Sequence, residues 1–154
     1  MSMIPEGVRR ILEAHGLCAM EFEPGSTPTA ETAARRIGVQ TGQIAKSILL
    51  AGKDGKYRMV ILAGDKKLSN AKLKSLFGTH VSMARPDDIF RVTGFRPGGV
   101  CPFFDTRGLE VFIDKSLKVY DVVYPAAGTD SSGVPVGFEK LADITGAAVC
   151  DVAE

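Results

Sequence analysis

"QIAKSILLAGKDGKYRMVILAG" (residues 43–64) places two apolar runs on either side of "KDGK" (53–56). An Asp-Gly pair between two such runs is a hairpin signal, so the stretch predicts two paired strands. Within the first strand, the alternation of a pleated chain puts Ile44, Lys46, Ile48 and Leu50 on one face and Ala45, Ser47 and Leu49 on the other. Lys46 therefore points to the same side as three branched apolar residues. Two readings stay open at this point. The lysine stem packs and its head reaches water, or the ammonium stands at the mouth of a pocket and meets a phosphate, a carbonyl or a developing oxyanion.

The rest of the chain is organised around this hairpin. "PEGVRRILEAHG" (5–16) opens on Pro, spaces Val8, Ile11 and Leu12 along one face and stops at Gly, which predicts an amphipathic helix. A strand is expected over 17–23. A second helix is expected over 26–38, with Thr27 as its N-cap, Pro28 in the first turn and Gly38 as its stop. Ser69 is expected to cap a third helix ending at Gly78, with a short strand "THVSMA" after it and a fourth helix from Pro86 to about Thr93. Strands near 109–113, 119–124 and 133–137, the helix "FEKLADITG" and a last strand "AAVCDV" complete the order. Helices and strands do not alternate as steady βαβ units. The expected class is therefore α/β of the α+β kind, a single domain over 1–154 with a mixed, mostly antiparallel, curled sheet around the core.

Composition narrows the function. A chain of 154 residues with 45% hydrophobic and 24% charged residues can bury a real core. A formal net charge of +1 argues against a general DNA or polyanion binder. No apolar run reaches the roughly 20 residues of a membrane span, and "MSMIPEGVRR" lacks the apolar centre of a signal peptide. Cys18, Cys101 and Cys150 are odd in number and far apart, and His15 and His80 are the only histidines. A disulfide framework and a zinc site are thus not expected, and a reducing, cytoplasmic setting is.

Familiar catalytic signatures are missing. The chain has no Walker A run, no GxGxxG after a strand, no GxSxG elbow and no HExxH. Asp87 and Asp88 fit the first turn of a helix better than a paired-carboxylate site. Two features rise above that background. Lys46 is one. The other is "RPGGVCP" (96–102), where Gly98 and Gly99 let the backbone approach a ligand and Pro97 and Pro102 stiffen both ends. Successive amides in such a turn can form a nest for an anion or a carbonyl; an ordinary surface loop is the competing reading. "PAAGTDSSG" (125–133) is similar in kind and less specific.

Taken together, "QIAKSILL", "KLSNAKLKSLFG", "TGFRPGGVCPF" and "AAGTDSSGVPVGFEKLADITGA" resemble, in order and spacing, the YbaK/prolyl-tRNA synthetase-associated editing domain family. The resemblance covers about residues 25–152. It implies a mixed, nearly barrel-like sheet with flanking helices and a metal-independent, cofactor-free hydrolase. Its substrate would be the ester between a wrong amino acid and the 3′ end of tRNA, most often tRNA for proline. Aminoacyl-tRNA is the implied partner, with prolyl-tRNA synthetase a further one. The family lysine maps onto Lys46 and the GxxxP motif onto Gly98, Gly99, Val100, Cys101 and Pro102. Ser47, Gly128 and Ser131 join them as substrate-binding candidates.

The match departs from better-known members at two places. Ala126-Ala127-Gly128 and Pro135 stand where some members carry a serine-glycine pair and an acidic residue, with Asp130, Ser131 and Ser132 nearby as substitutes. Met20 or Phe22 falls where some carry a tyrosine. The amino acid removed stays open between alanine, cysteine, serine, threonine and another small one. Two rival classes also stand: a non-catalytic tRNA- or synthetase-binding adaptor, and a small-molecule hydrolase using Cys101 as nucleophile. Lys53, Lys56, Arg58, Lys66, Lys67, Lys72 and Lys74 bias the middle of the chain toward positive charge, either as a solvated face or as a weak tRNA-contacting surface.

Overall fold

The computed structural model describes residues 2–154. In chain order the elements are α1 (Glu6–Ala14), β1 (Met20–Glu21), α2 (Ala30–Ile37), β2 (Ala45–Gly52), β3 (Tyr57–Ala63), α3 (Asn70–Phe77), β4 (Val81–Met83), α4 (Pro86–Thr93), β5 (Glu110–Asp114), β6 (Ser132–Gly133), α5 (Phe138–Thr145) and β7 (Ala148–Cys150). The main sheet runs β4-β2-β3-β5-β7, and β1 and β6 form a separate pair. β2 and β3 are the predicted hairpin, with Lys46 opposite Leu62 and Ser47 opposite Ile61. Antiparallel pairing also joins β2 to β4 and β1 to β6, while β3–β5 and β5–β7 are parallel. The fold is thus mixed α+β, as expected. The sheet stays open, with the three-residue strands β4 and β7 at its two edges.

β3 lies in the middle and is buried on both faces, which is why "MVILA" is apolar without alternation. Met59, Ile61 and Ala63 face a core shared with Val8 and Leu12 of α1, Phe103, Ile113 and Leu141 of α5. Val60 faces the other way, with Leu50, Leu73 of α3, Val81 and Cys150. A third, smaller cluster packs Ala33 and Ala34 of α2 onto Ile44, at the start of β2.

Most helix ends follow local chemistry. The Ser69 hydroxyl accepts from the Lys72 amide, and Gly38, Gly78, Gly94 and Gly146 end their helices in the left-handed conformation. Two expectations are corrected. Thr29, not Thr27, caps α2 through a reciprocal box with Thr32. Thr27 is buried instead: its amide donates to the Asp130 carbonyl and its hydroxyl accepts from the Ser132 amide. The strands expected at 119–124 and 133–137 shrink to a 3-10 turn at Lys115–Val119, the short β6 and two isolated bridges, Val123–Val136 and Ile44–Tyr124. Pro125 and Pro135 lack the amide a longer ladder needs.

Candidate active site

β4 covers β2 only from Leu50 to Gly52, so the first half of β2 is a free edge. Two bonds bracket it. The Ala45 amide donates to the Tyr124 carbonyl at 3.1 Å, and the Leu49 carbonyl accepts from the Ala84 amide at 2.9 Å. Alternate residues of an antiparallel strand address the same side, so Ser47, midway between, presents its main-chain N–H and C=O to the gap. A cavity of about 220 Å³ fills that gap. Its walls are Ala30, Ala33 and Ile37 of α2, Ile44 with residues 45–49 of β2, Met83, Ala84 and Ile89, and the loop residues Pro97, Gly98 and Val100. Tyr124, Ala126 and Ser132 close it. Among the described residues, Lys46 is the single charged group on its wall.

Lys46 is half-buried, and its ammonium donates to the carbonyls of Lys66 at 2.6 Å and Gly64 at 3.4 Å. Burial lowers its pKa below the ordinary lysine value, with Glu31 and Asp65 pulling it back up and Lys67 pushing it further down. The head is neither free in solvent nor neutralised by a carboxylate. It is held by two carbonyl dipoles at the edge of an apolar cavity, with one donor position left over. Ser47 contributes a hydroxyl that is buried and has no hydrogen-bond partner. An unmade bond of that kind costs about 1–3 kcal/mol, so the buried Ser47 hydroxyl is a polar group that the fold itself leaves unpaired. Ser47→Ala is expected to leave thermal stability unchanged or slightly raised. Any function that uses the hydroxyl should fall about 3- to 10-fold, the worth of one neutral hydrogen bond; denaturation and turnover measured on the same sample check both halves.

The 96–102 loop divides its residues between two sides. The Gly99 amide is spent on the Arg96 carbonyl at 3.0 Å, closing a turn. Among the described residues, the amides of Gly98 and Val100 have no acceptor, and both residues line the cavity. The donors this loop leaves free beside the cavity are therefore those of Gly98 and Val100. Gly98 needs its glycine because φ is +92°. Gly99 needs its own for space: a Cβ there would lie 3.0 Å from the Gly128 carbonyl oxygen and from Thr129 Cα and N. All three neighbours are backbone. Gly99→Ala is expected to push the two loops apart and cost about 1–3 kcal/mol, read as a shift in the urea midpoint.

The other sequence candidates are placed differently. Gly128 and Ser131 line a second depression with Gly99, Thr129 and Asp130, across the loop from Lys46. Cys101 and Pro102 face the core rather than the cavity. Cys101 is 0% exposed and burial pushes its thiol up to about 12, which removes it as a nucleophile. The Asp130 carboxylate is occupied by the Gly25 amide. The Ser132 hydroxyl accepts from the Ala127 amide and from Thr129, which orders the 126–132 loop. The sequence reading missed α2, Ile89, Tyr124 and Ser132 as cavity walls. Nothing local in the sequence says which cavity Ala30, Ala33 and Ile37 wall. Among the described residues no group of three or more His, Cys, Asp or Glu could hold a metal ion, and no helix is long and apolar enough to cross a membrane.

Comparison with known proteins bears on this geometry. A family model described as an aminoacyl-tRNA editing domain matches residues 25–144. YwhH of Bacillus subtilis (strain 168), itself uncharacterized, is 37% identical over 125 residues, covering 81% of this chain and 79% of that protein. A proline–tRNA ligase of Staphylococcus epidermidis is 33% identical over 99 residues, which are 64% of this chain but only 17% of the ligase. A crystal structure of a proposed trans-editing enzyme for prolyl tRNA synthetase superposes with a TM-score of 0.86 at 33% identity, covering 98% of this chain and 99% of that one.

Proposed function

The chain belongs to the aminoacyl-tRNA editing domain family, and from that premise we propose that it acts in trans as a deacylase. It would hydrolyse the ester that joins a misattached small amino acid to the 3′ end of a tRNA of the proline type. One observation carries this reading: Lys46, Ser47 with its unpartnered hydroxyl, and Gly98 and Val100 with their free amides all line one small apolar cavity.

That set suits an activated ester. Water adds to the ester carbon, the bond from that carbon to the ribose oxygen breaks, and the oxygen departs as a hydroxyl with a proton from the attacking water. No protein nucleophile is required, only a positioned water or neighbouring ribose hydroxyl and donors for the charge that builds on the carbonyl oxygen. The Gly98 and Val100 amides are such donors. Removing one donor of this kind typically costs about 3 kcal/mol. Lys46 supplies the positive charge, either to that oxygen or to the phosphate of the terminal nucleotide. The apolar walls admit a small side chain, and the Ser47 hydroxyl offers one hydrogen bond to it or to the ribose. A second sieve of this sort is needed because a synthetase pocket rejects a similar amino acid only about 10- to 200-fold.

The test is a panel of tRNA charged with alanine, cysteine, serine, threonine or proline, with ester loss followed over time. Hydrolysis of at least one small misattached amino acid well above the buffer rate is expected, with correctly charged prolyl-tRNA spared. No hydrolysis of any of them, with tRNA or synthetase still bound, would favour an adaptor instead.

A further inference from the structure

A second groove adjoins the first. It occupies about 320 Å³ between α3, β2 and β4 and shares Lys46, Ile48 and Met83 with the cavity described above. Its floor is apolar, formed by Leu50, Leu73 and Val81, and its rim carries Lys66 and Lys67. Both rim lysines are exposed and, among the described residues, neither makes an ion pair. This contrasts with nearby Lys72 and with Lys115, which both bind Asp151. Met83, at 69% exposure on an edge strand, is an apolar side chain left uncovered between the two cavities.

We infer that this groove receives the unpaired nucleotide that precedes the terminal nucleoside of the RNA substrate. The inference rests on the deacylase reading for what fills the first cavity, and on the continuity of the two cavities for the rest. The wall shared by the two cavities is Lys46, Ile48 and Met83, so an RNA strand whose aminoacylated terminal nucleoside sits in the first cavity and which continues past Lys46 enters the groove rimmed by Lys66 and Lys67. Single-stranded RNA presents there a flat apolar base and a phosphodiester; the groove presents an apolar trough and unpaired ammonium groups. Lys46, Lys66 and Lys67 share one groove, and among the described residues none of the three makes an ion pair, so an anion is the complementary partner. The near-neutral chain needs such a local cluster, because its net charge of +1 supplies little general attraction for RNA.

The experiment measures binding of an uncharged RNA hairpin with an unpaired CCA 3′ end by fluorescence anisotropy across a salt series. The double variant Lys66→Glu/Lys67→Glu is expected to weaken binding at least 10-fold and to flatten the salt dependence by about one to one and a half in log–log slope. The control Lys118→Glu/Lys140→Glu makes the same change in net charge at exposed positions outside both cavities and is expected to stay within about twofold of the parent. A blunt hairpin should bind the parent as weakly as the CCA hairpin binds the double variant. The groove is overturned if the control variant loses as much, if the blunt hairpin binds equally well, or if the parent binds no hairpin. A melting curve for each variant confirms that it is folded. Ester hydrolysis by the parent, measured in parallel, separates the two ideas: selective binding loss without any hydrolysis keeps the groove and sinks the deacylase reading.

Discussion

Lys46→Ala is expected to lower the second-order rate of ester hydrolysis by about 100- to 1000-fold while the protein stays folded. The magnitude is that of losing one preorganised charge-stabilising group in a water-poor site. Retention of the fold follows from what the side chain does: it donates to two backbone carbonyls at the rim and makes no ion pair among the described residues. Lys46→Met keeps the stem and its packing, so it separates charge from bulk. Both variants should melt within a few degrees of the parent. A folded Lys46→Ala with full activity would reduce the residue to a packing lysine at a strand edge.

The same lysine sets a pH signature. Burial lowers its folded pKa below the ordinary 10.5. The ammonium therefore subtracts from stability wherever it is protonated in both states, and that penalty fades as pH rises through the folded value. Activity runs the opposite way, since the useful form is the cation. After correction for spontaneous ester loss, kcat/KM is expected to fall on the alkaline side of the parent profile and to show no such limb in Lys46→Met. Identical alkaline profiles for the two proteins would detach the cation from the chemistry.

Asp114→Ala is expected to be the most destabilising substitution, at about 2–4 kcal/mol, or a melting point about 4–16 °C lower. Asp114 is 0% exposed at the end of β5. One carboxyl oxygen accepts from the Val152 amide at 2.7 Å and the other from the Ser116 amide at 2.9 Å. Alanine leaves the buried Val152 amide and the Ser116 amide without their acceptor, and both tie the C-terminal segment and the 3-10 turn to the sheet. The effect reaches the site. The Ser116 hydroxyl accepts from the Ala63 amide, one residue before the Gly64 carbonyl that holds Lys46. Asp114→Asn keeps one acceptor oxygen and should lose roughly half as much. An Asp114→Ala protein that unfolds at the parent temperature would show that water replaces these bonds.

What could be read from the chain was what local chemistry writes. Asp54-Gly55 between two apolar runs sufficed for the β2–β3 hairpin. Ser69 with Gly78, Pro86 with the stop near Thr93, and Gly146 marked helix ends, because a cap is satisfied within four residues of itself. The anomaly of Lys46 was equally legible, since strand alternation alone places an ammonium among Ile44, Ile48 and Leu50. The combination of that lysine with Gly98 and Pro102 was enough to suggest the family.

Tertiary structure decided the rest, and long-range partners are the reason. Thr27 satisfies every local rule for an N-cap, yet its hydroxyl is taken by the amide of Ser132, more than a hundred residues away. Gly99 looked equivalent to Gly98 as a place where the backbone approaches a ligand. In the fold its amide closes a turn onto the Arg96 carbonyl and the residue packs against Gly128 and Thr129, while Gly98 and Val100 line the cavity. Cys101 sits in the same motif and is lost to the core. The sequence by itself determined which residues were unusual and which local elements carry them. Whether an unusual residue faces a cavity, a neighbouring loop or the core depends on packing between segments far apart in the chain, and that no local pattern encodes.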